Sequence, residues 1–158
     1  WWKVWNRLSI SGYHWRGLEQ HIGWTTAAIC RFHWGEPLLQ LDTDLINALH
    51  AKGFAVAIET NGTIKVPKGV DWVCVSPKAG SELIVLQADE IKVVIPQQGH
   101  GSVETLLARF EKMDYRNRFL QAMDGPNLQE NLALAVRLCQ KRPLWRLSVQ
   151  THKMIGIR

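Results

Sequence analysis

The stretch FAVAIETNG, residues 54–62, decides the fold class of this 158-residue sequence. Its first five residues are continuously apolar, which is typical of a short strand buried on both faces. The polar residues that follow end the strand, and the dipeptide Asn61-Gly62 is a strong turn signal. The same order, a short apolar strand and then a polar cluster, returns three more times along the chain.

The segments around this stretch alternate between strand and helix patterns. Short apolar runs predict strands at residues 54–58, 72–75, 91–95, 119–122 and 145–149. Three- and four-residue steps predict helices on three apolar sets: Leu38, Leu41, Leu45 and Leu49; Val103, Leu106, Leu107 and Phe110; Leu128, Leu132, Val136 and Cys139. Strands separated by helices favour βα units, so we expect an α/β fold of mostly parallel strands.

Polar clusters follow four of the predicted strands, at residues 59–62, 76–78, 121–124 and 150–153. The carboxyl ends of parallel strands share one edge, where ligands bind, so we predict a candidate active site there. Each cluster also has a purely structural interpretation. These are a turn at Asn61-Gly62, a strand exit at Pro77, a helix start capped by Asn127, and a solvated His152 near the chain end.

Length and composition indicate an ordinary soluble protein of one domain, with 46% hydrophobic and 21% charged residues. No apolar run approaches the roughly 20 residues of a membrane helix, and no signal-peptide pattern is present, so we expect a cytoplasmic protein without a membrane partner. Cys30, Cys74 and Cys139 are far apart, which argues against disulfides. We expect Cys74 and Cys139 to be buried core thiols.

The first 34 residues differ from the rest, because they hold six of the eight tryptophans and show no sustained period. They carry four basic residues and one acidic residue, whereas residues 35–158 carry 15 and 13, so the net charge of +5 does not indicate a nucleic-acid partner. We expect residues 1–34 to be a truncated or out-of-frame start outside the native fold. Two alternatives are a membrane-surface segment and a metal site from His14, His21, Cys30 and His33.

Six motifs occur in a fixed order along residues 35–158: GEPLLQ (35–40), IETNG (58–62), VSPK (75–78), DEIK (89–92), QAMDGP (121–126) and WRLSVQTHK (145–153). The first is similar to the second half of the Gly-Gly-Glu-Pro motif of radical-SAM enzymes. The ordered set resembles the C-terminal two-thirds of the 7-carboxy-7-deazaguanine synthase family.

The resemblance implies a partial, modified (β/α) barrel of radical-SAM type that forms homodimers. It implies the conversion of 6-carboxy-5,6,7,8-tetrahydropterin to 7-carboxy-7-deazaguanine with loss of ammonia, a step toward queuosine. In this family a [4Fe-4S] cluster receives electrons from a reductant such as flavodoxin. The reduced cluster cleaves S-adenosylmethionine to give a 5′-deoxyadenosyl radical. Mg²⁺ assists the ring contraction.

The matched motifs imply two sets of site residues. The residues implied to bind S-adenosylmethionine are Gly35, Glu59, Ser76, Pro77, Lys78, Gln121, Ala122, Met123 and Asp124. The residues implied to reach the substrate are His152 and the terminal carboxylate of Arg158.

The cysteine triplet C-x-x-x-C-x-x-C that holds a radical-SAM cluster does not occur in this sequence. The threonine that contributes to Mg²⁺ binding after the triplet is missing with it, and Phe32-His33-Trp34 stands where the family has an apolar residue, Thr and Gly. We therefore expect little or no turnover from this chain. Missing βα units are also expected to leave an open edge beside the strand at Phe54, unless residues 1–34 cover it.

Three other functions remain open at this point. The first is a non-catalytic remnant that binds S-adenosylmethionine or a pterin. The second is an unrelated α/β barrel enzyme that uses Glu59, Lys78 and His152 as acid–base groups. The third is a nucleic-acid binder, which fits the isoelectric point of 9.3 but has no binding motif in the sequence.

Overall fold

The computed structural model describes residues 28–32, 35–97, 102–151 and 155–156. Compact packing divides them into two units. The first unit contains the described residues up to Thr60 together with 64–73, and the second contains 61–63 and the described residues from Cys74 onward. Within the described residues, no helix is both long and apolar enough to span a membrane.

Six strands and three helices make up the described secondary structure. The strands are β1 (Ala28–Phe32), β2 (Phe54–Thr60), β3 (Trp72–Val75), β4 (Gln87–Ile95), β5 (Asp114–Ala122) and β6 (Trp145–Ser148). The α-helices are α1 (Thr43–His50), α2 (Val103–Glu111) and α3 (Leu128–Lys141), and Pro37–Leu39 form a short 3-10 helix. In the first unit β1 pairs with β2, and in the second β3, β4, β5 and β6 pair in chain order; all these pairs are parallel. The predicted α/β class with parallel strands is confirmed.

The first unit is built on a core of Leu41, Ile46, Val56 and Ile58. The prediction that Leu38, Leu41, Leu45 and Leu49 form one helix is wrong, since α1 begins only at Thr43. Asp42 caps it by accepting a 2.8 Å hydrogen bond from the Leu45 amide, so the chain turns there instead of continuing from the 3-10 helix. The spacing still placed Leu41 correctly in the core, because that residue is buried.

Strand β1 lies inside the segment that was expected to fall outside the native fold. Its backbone pairs with β2 from Ala28 opposite Phe54 to Phe32 opposite Ile58, and Phe32 packs against the core of the first unit. Residues 28–32 thus occupy the edge of β2 that was expected to be open unless this segment covered it. Residues 1–27 lie outside the described residues, so the expectation for them stays a prediction.

The expected burial of the thiols is confirmed for Cys74 but not for Cys139. Cys30 and Cys74 are buried, whereas Cys139 on α3 is half-buried. Burial raises the pKa of the Cys30 and Cys139 thiols, which keeps both in the protonated form at neutral pH.

The sheet of the second unit buries one face. Ile91, Val93 and Ile95 of β4 lie beside Arg118, Leu120 and Ala122 of β5, and all of these except Arg118 are fully or almost fully buried. Helix α3 packs on β5 and β6 and α2 on β5, and their buried side chains are Leu106, Leu107, Phe110, Ala135 and Leu138. The helices therefore account for the burial of this face.

A clamp joins α2, the end of α3 and β6 at the amino-terminal edge of this sheet. One guanidinium nitrogen of Arg142 donates to both carboxylate oxygens of Glu111, at 2.7 and 2.8 Å, and the indole of Trp145 donates to the same carboxylate at 2.9 Å. Burial acts to raise the pKa of Glu111, but these hydrogen bonds and the charges of Arg142 and Arg118 outweigh it and lower the pKa.

Candidate functional site

In the first unit, Gly35 has the backbone conformation that favours glycine. Its φ is +69°, and among the described residues other than its chain neighbours, no heavy atom lies within 4 Å of the position that a Cβ would take. The turn before the 3-10 helix thus requires glycine for its conformation. The expected approach of Gly35 to the methionine end of S-adenosylmethionine stays a prediction.

Glu36, the next residue of the motif, ties this turn to the end of β2. Its Oε1 accepts a 2.7 Å hydrogen bond from the hydroxyl of Thr60 and a 3.3 Å bond from the Leu38 amide, and it caps the 3-10 helix. The Thr60 side chain is buried. The carboxylate therefore braces the loop against the strand, a role that the sequence alone did not indicate.

Glu59 forms an ion pair across the two strands of the first unit. Arg31 Nη2 lies 3.4 Å from Glu59 Oε2, with the Arg31 side chain 41% exposed and the Glu59 side chain 21% exposed. The register places Arg31 beside Ala57, which is on the same face of β2 as Glu59. Arg31 belongs to the atypical segment and was not predicted to reach the site.

In the second unit, Ser76-Pro77-Lys78 follows β3 directly. Ser76 and Pro77 are buried, and Lys78 is exposed. The side-chain amide of Gln97, just after β4, donates a 3.1 Å hydrogen bond to the carbonyl of Pro77. Gln97 therefore positions the β3 exit from the neighbouring strand end. Gln97 was not among the predicted site residues, although Gln97 and Gln98 follow the predicted strand at residues 91–95.

The cluster after β5 lies at the same edge of that sheet. Gln121 is half-buried, Ala122 is buried on the helix-covered face, and Met123 and Asp124 are exposed. The Met123 amide donates to the Ile95 carbonyl at 2.7 Å, and its own carbonyl accepts from the Asn131 side chain at 2.9 Å. Because β3, β4 and β5 are parallel, the second unit brings residues 76–78, 97 and 121–124 to one edge.

Asn61-Gly62 forms the turn that the sequence indicated. Asn61 Oδ1 accepts from the amide and the hydroxyl of Thr63, at 2.8 and 2.7 Å, and Gly62 is buried with φ +81°. The Gly62 carbonyl accepts from the amides of Ile84 and Val85. Asn127 is also the N-cap of α3 by position, although its side chain makes no capping hydrogen bond.

The substrate residues expected near the chain end, His152 and Arg158, lie outside the described residues, as do His33 and Trp34. The metal site considered for Cys30 with His14, His21 and His33 cannot be placed for the same reason. The assignments of His152 and Arg158 stay predictions.

The residues present do not fit a [4Fe-4S] cluster. Cys30, Cys74 and Cys139 stand on β1, β3 and α3, and two of them are buried. Within the described ranges, no group of three His, Cys, Asp or Glu side chains could hold a metal ion. The three cysteines therefore do not form the ligand set of an iron–sulfur cluster in this part of the chain.

Comparison with known proteins finds close relatives among bacterial enzymes. The 7-carboxy-7-deazaguanine synthase of Bradyrhizobium diazoefficiens is 54% identical over 124 residues, which are 78% of this chain and 57% of the relative. The enzyme of the same name from Caulobacter vibrioides is 50% identical over 78% of this chain and 56% of the relative. The chain is a relative of the 7-carboxy-7-deazaguanine synthases.

A solved structure supports this relationship. The crystal structure of QueE from Escherichia coli superposes with a TM-score of 0.62 and 28% identity, covering 85% of this chain and 60% of that one. This similarity is consistent with the expected partial barrel. No protein-family model matches the chain. The chain spans a little over half the length of these two 7-carboxy-7-deazaguanine synthases.

Proposed function

We propose that this chain is part of an enzyme that makes 7-carboxy-7-deazaguanine from 6-carboxy-5,6,7,8-tetrahydropterin with loss of ammonia. The observation that carries the proposal is the 54% identity to an enzyme of that name over 124 residues. The strand-end residues of the second unit add chemical support, because an exposed ammonium, an exposed carboxylate and a half-buried amide suit a nucleoside ligand. Assembly as a homodimer and delivery of electrons by a flavodoxin-type reductant belong to the same proposal.

S-adenosylmethionine fits the donors and acceptors of these strand ends, and it would supply the adenosyl group for the family's reaction. Lys78 presents a cation and Asp124 a carboxylate that can accept from ribose hydroxyls. Gln121 offers both a donor and an acceptor to a base edge. In the first unit, Gly35 leaves space beside its backbone, and Glu59 offers a carboxylate that Arg31 orients.

The 158 residues as written are proposed to have no turnover, because the sequence contains no cysteine triplet for the cluster. The test has two arms. In the first, the chain is reconstituted anaerobically with iron and sulfide and supplied with S-adenosylmethionine, substrate, Mg²⁺ and dithionite, and product formation is followed by mass spectrometry. Product above the rate of a sample without iron would contradict the proposed inactivity.

The second arm reads the genomic DNA upstream of the Gly35 codon in all three frames. A C-x-x-x-C-x-x-C segment in a neighbouring frame, joined in frame to residues 35–158, gives the polypeptide to assay for the full reaction. Failure of that polypeptide to form product with a loaded cluster would remove the proposed enzyme function.

A second candidate function is binding of S-adenosylmethionine or a pterin without catalysis. The exposure of Lys78 and Asp124 at one sheet edge favours it, since binding through these groups needs no iron. Isothermal titration of the iron-free chain with S-adenosylmethionine tests it. A heat of binding that Asp124→Ala abolishes supports a binding remnant, and no heat up to millimolar ligand argues against it.

A further inference from the structure

Two side-chain amides of the second unit hold the loops that leave β3 and β5. The amide nitrogen of Gln97 donates to the Pro77 carbonyl at 3.1 Å, and the amide nitrogen of Asn131 donates to the Met123 carbonyl at 2.9 Å. In both bonds, an amide on or just after the element that follows the strand reaches back to a main-chain carbonyl of the strand exit. Neither Gln97 nor Asn131 was among the predicted site residues.

The exit of β3 is restrained at Pro77, whose carbonyl is its only main-chain hydrogen-bonding group because proline has no N–H. Strand β3 ends at Val75, which is paired with Ile91, so the Pro77 carbonyl lies beyond the ladder. Pro77 is buried, and a buried carbonyl requires a partner. Gln97 supplies that partner from the neighbouring strand end.

This bond also restrains the main chain of Lys78. The Pro77 carbonyl belongs to the planar peptide that contains the nitrogen and Cα of Lys78, so the bond from Gln97 fixes the orientation of that peptide. On the other side of Lys78, its carbonyl accepts from the Ser81 amide at 3.3 Å. Because the Lys78 side chain is exposed, this restraint of the main chain, rather than burial, limits the region that the ammonium reaches.

Met123, at the exit of β5, is held through both of its main-chain groups. Its amide donates to the Ile95 carbonyl of β4 at 2.7 Å, and its carbonyl accepts from Asn131, which is the fourth residue of α3. The Met123 carbonyl belongs to the planar peptide that contains the nitrogen and Cα of Asp124. Asn131 therefore restrains the main chain of Asp124 in the same way as the first amide restrains that of Lys78.

Each of the two bonds restrains a loop more than it stabilises the fold. Gln97 and Asn131 are half-buried, and the net contribution of one such hydrogen bond to folding is small. A ligand gains affinity when the loops that bind it are already in the bound conformation, because less conformational entropy is lost on binding. The two amides are therefore expected to affect ligand binding more strongly than stability.

We propose that Gln97 and Asn131 are positioning residues that hold the main chain of Lys78 and Asp124 in the conformation that binds S-adenosylmethionine. This inference rests on the proposed function, since that proposal supplies the ligand. It goes beyond the proposed function by assigning roles to two residues that act through their neighbours rather than through contact with the ligand.

The experiment measures the Kd of S-adenosylmethionine by isothermal titration of the iron-free 158-residue chain. Gln97→Met keeps a side chain of similar length without a donor, and Asn131→Asp keeps the shape but replaces the donating nitrogen by a carboxylate oxygen. A carboxylate in the first turn of a helix is favourable with the helix dipole, so Asn131→Asp should not destabilise α3. Circular dichroism and urea denaturation check the fold and the stability of each variant.

The matched controls change the same chemical groups away from the two bonds. Gln87→Met removes an exposed glutamine amide at the first residue of β4, the opposite end of the strand that precedes Gln97. Gln129→Glu adds the same negative charge as Asn131→Asp, at an exposed position in the first turn of α3.

We expect Gln97→Met and Asn131→Asp each to raise the Kd about 10-fold without a change in the urea midpoint, and the two controls to leave the Kd within about 2-fold. Unchanged affinity in the two folded variants or a loss of the same size in the controls would overturn the inference. The absence of any heat of binding up to millimolar ligand in the parent chain would also overturn it.

A double-mutant cycle distinguishes positioning from a general structural role. In a Lys78→Ala background, Gln97→Met should raise the Kd by less than about 2-fold, because the group that Gln97 positions is absent. The same is expected of Asn131→Asp in an Asp124→Ala background. A further loss of about 10-fold in these backgrounds would show that the amides act independently of Lys78 and Asp124, which contradicts the inference.

The cluster-loaded polypeptide separates failure of this inference from failure of the proposed function. If that polypeptide forms product and Gln97→Met leaves its KM for S-adenosylmethionine unchanged, the inference fails while the proposed function stands. If Gln97→Met and Asn131→Asp weaken binding as expected but the cluster-loaded polypeptide forms no product, the inference holds and the enzyme function is removed.

Discussion

The polar residues at the end of β2 and those that follow β3 and β5 come from the same sequence pattern but differ in their environments. In the first unit, Thr60 is buried against Glu36, and Glu59 is paired with Arg31. In the second unit, Lys78, Met123 and Asp124 are exposed at the sheet edge. Polar residues at a strand end therefore have one of two roles: they brace a loop, or they present chemical groups to a ligand. The burial of the side chain distinguishes the two roles.

The largest effect on stability is expected at Gly62 in the second unit. A Cβ there would overlap with Leu83 Cδ1 and would lie 2.9 Å from Val75 Cγ1, and the residue has φ +81°. We expect Gly62→Ala to lower the free energy of unfolding by about 3 kcal/mol, from overpacking and backbone strain together. Urea denaturation followed by circular dichroism measures this change.

Gly80→Ala is the matched control for Gly62. Gly80 has φ +76° in the same unit, but no atom of the described residues beyond its chain neighbours lies within 4 Å of its Cβ position, so only the strain of about 1 kcal/mol applies. Equal losses in the two variants would show that the contacts with Leu83 and Val75 relax without cost.

Thr60→Val tests whether the end of β2 is a brace. The substitution keeps the shape of a buried side chain but removes the donor to Glu36 Oε1, so we expect a loss of about 2 kcal/mol in the free energy of unfolding. Hydrogen exchange should show faster exchange of the Leu38 amide, which bonds to the same carboxylate oxygen. Thr60→Ser retains the hydroxyl and should restore slow exchange; an unchanged Leu38 rate in Thr60→Val would contradict the brace.

The clamp at the opposite edge should give a stability difference that depends on pH. The pKa of Glu111 is lower in the folded protein than its ordinary value, so ionised Glu111 stabilises the fold at pH values above that ordinary range. We expect Glu111→Gln to cost about 1 kcal/mol at pH 7. The difference from the parent should shrink as pH falls through the lowered pKa, because the parent then loses the charge that the variant lacks.

Melting temperatures of the parent and of Glu111→Gln between pH 3 and pH 7 measure this dependence. Glu104→Gln is a control on the same helix, since Arg142 contacts the backbone carbonyl of Glu104 rather than its side chain. A constant difference between parent and Glu111→Gln across this range would contradict the lowered pKa.

The smallest effect on stability is expected at Lys78. This residue gives the clearest test of the difference between the strand ends of the two units. The side chain is exposed, so Lys78→Ala should change the free energy of unfolding by less than about 0.5 kcal/mol. The same variant should raise the Kd for S-adenosylmethionine about 10-fold if the second unit presents Lys78 to a ligand. Lys112→Ala, an exposed cation after α2, is the matched control for affinity. An unchanged Kd for S-adenosylmethionine in Lys78→Ala would contradict the idea that the strand ends of the second unit, unlike the end of β2, present groups to a ligand.

The sequence patterns predicted the apolar parts of the strands, but the predicted strands were too short where the first residues are polar. The bounds of β3 agree with the prediction to the residue, whereas β4 begins at Gln87 and β5 at Asp114, ahead of the predicted starts at Ile91 and Phe119. The missed residues of β4 are exposed or half-buried, and in β5 buried Tyr115 lies between exposed Asp114 and Arg116. A search for continuous apolar runs does not detect this period-2 pattern.

The strand ends that carry the candidate site could be predicted from the sequence. The hydrogen-bond and ion-pair partners of the side chains there could not. The edge rule for parallel strands located residues 76–78 and 121–124 from sequence alone. The partners of Glu36 and Glu59 are 24 and 28 residues away along the chain, and no local pattern encodes such contacts. Strand β4 did leave a local signal, the alternation of Glu90, Lys92 and Val94 with Ile91, Val93 and Ile95.

Strand β1 shows that pairing in a parallel sheet places few requirements on the side chains of a strand. Its residues, AICRF, come from a segment with an atypical composition, yet their main-chain groups pair with β2 along five consecutive positions. Main-chain hydrogen bonding depends on the spacing of peptide groups and on one apolar face, here Cys30 and Phe32, and not on the identity of catalytic residues. A stretch of chain can thus join a parallel sheet through its main chain and one apolar face, whatever chemistry its other side chains carry.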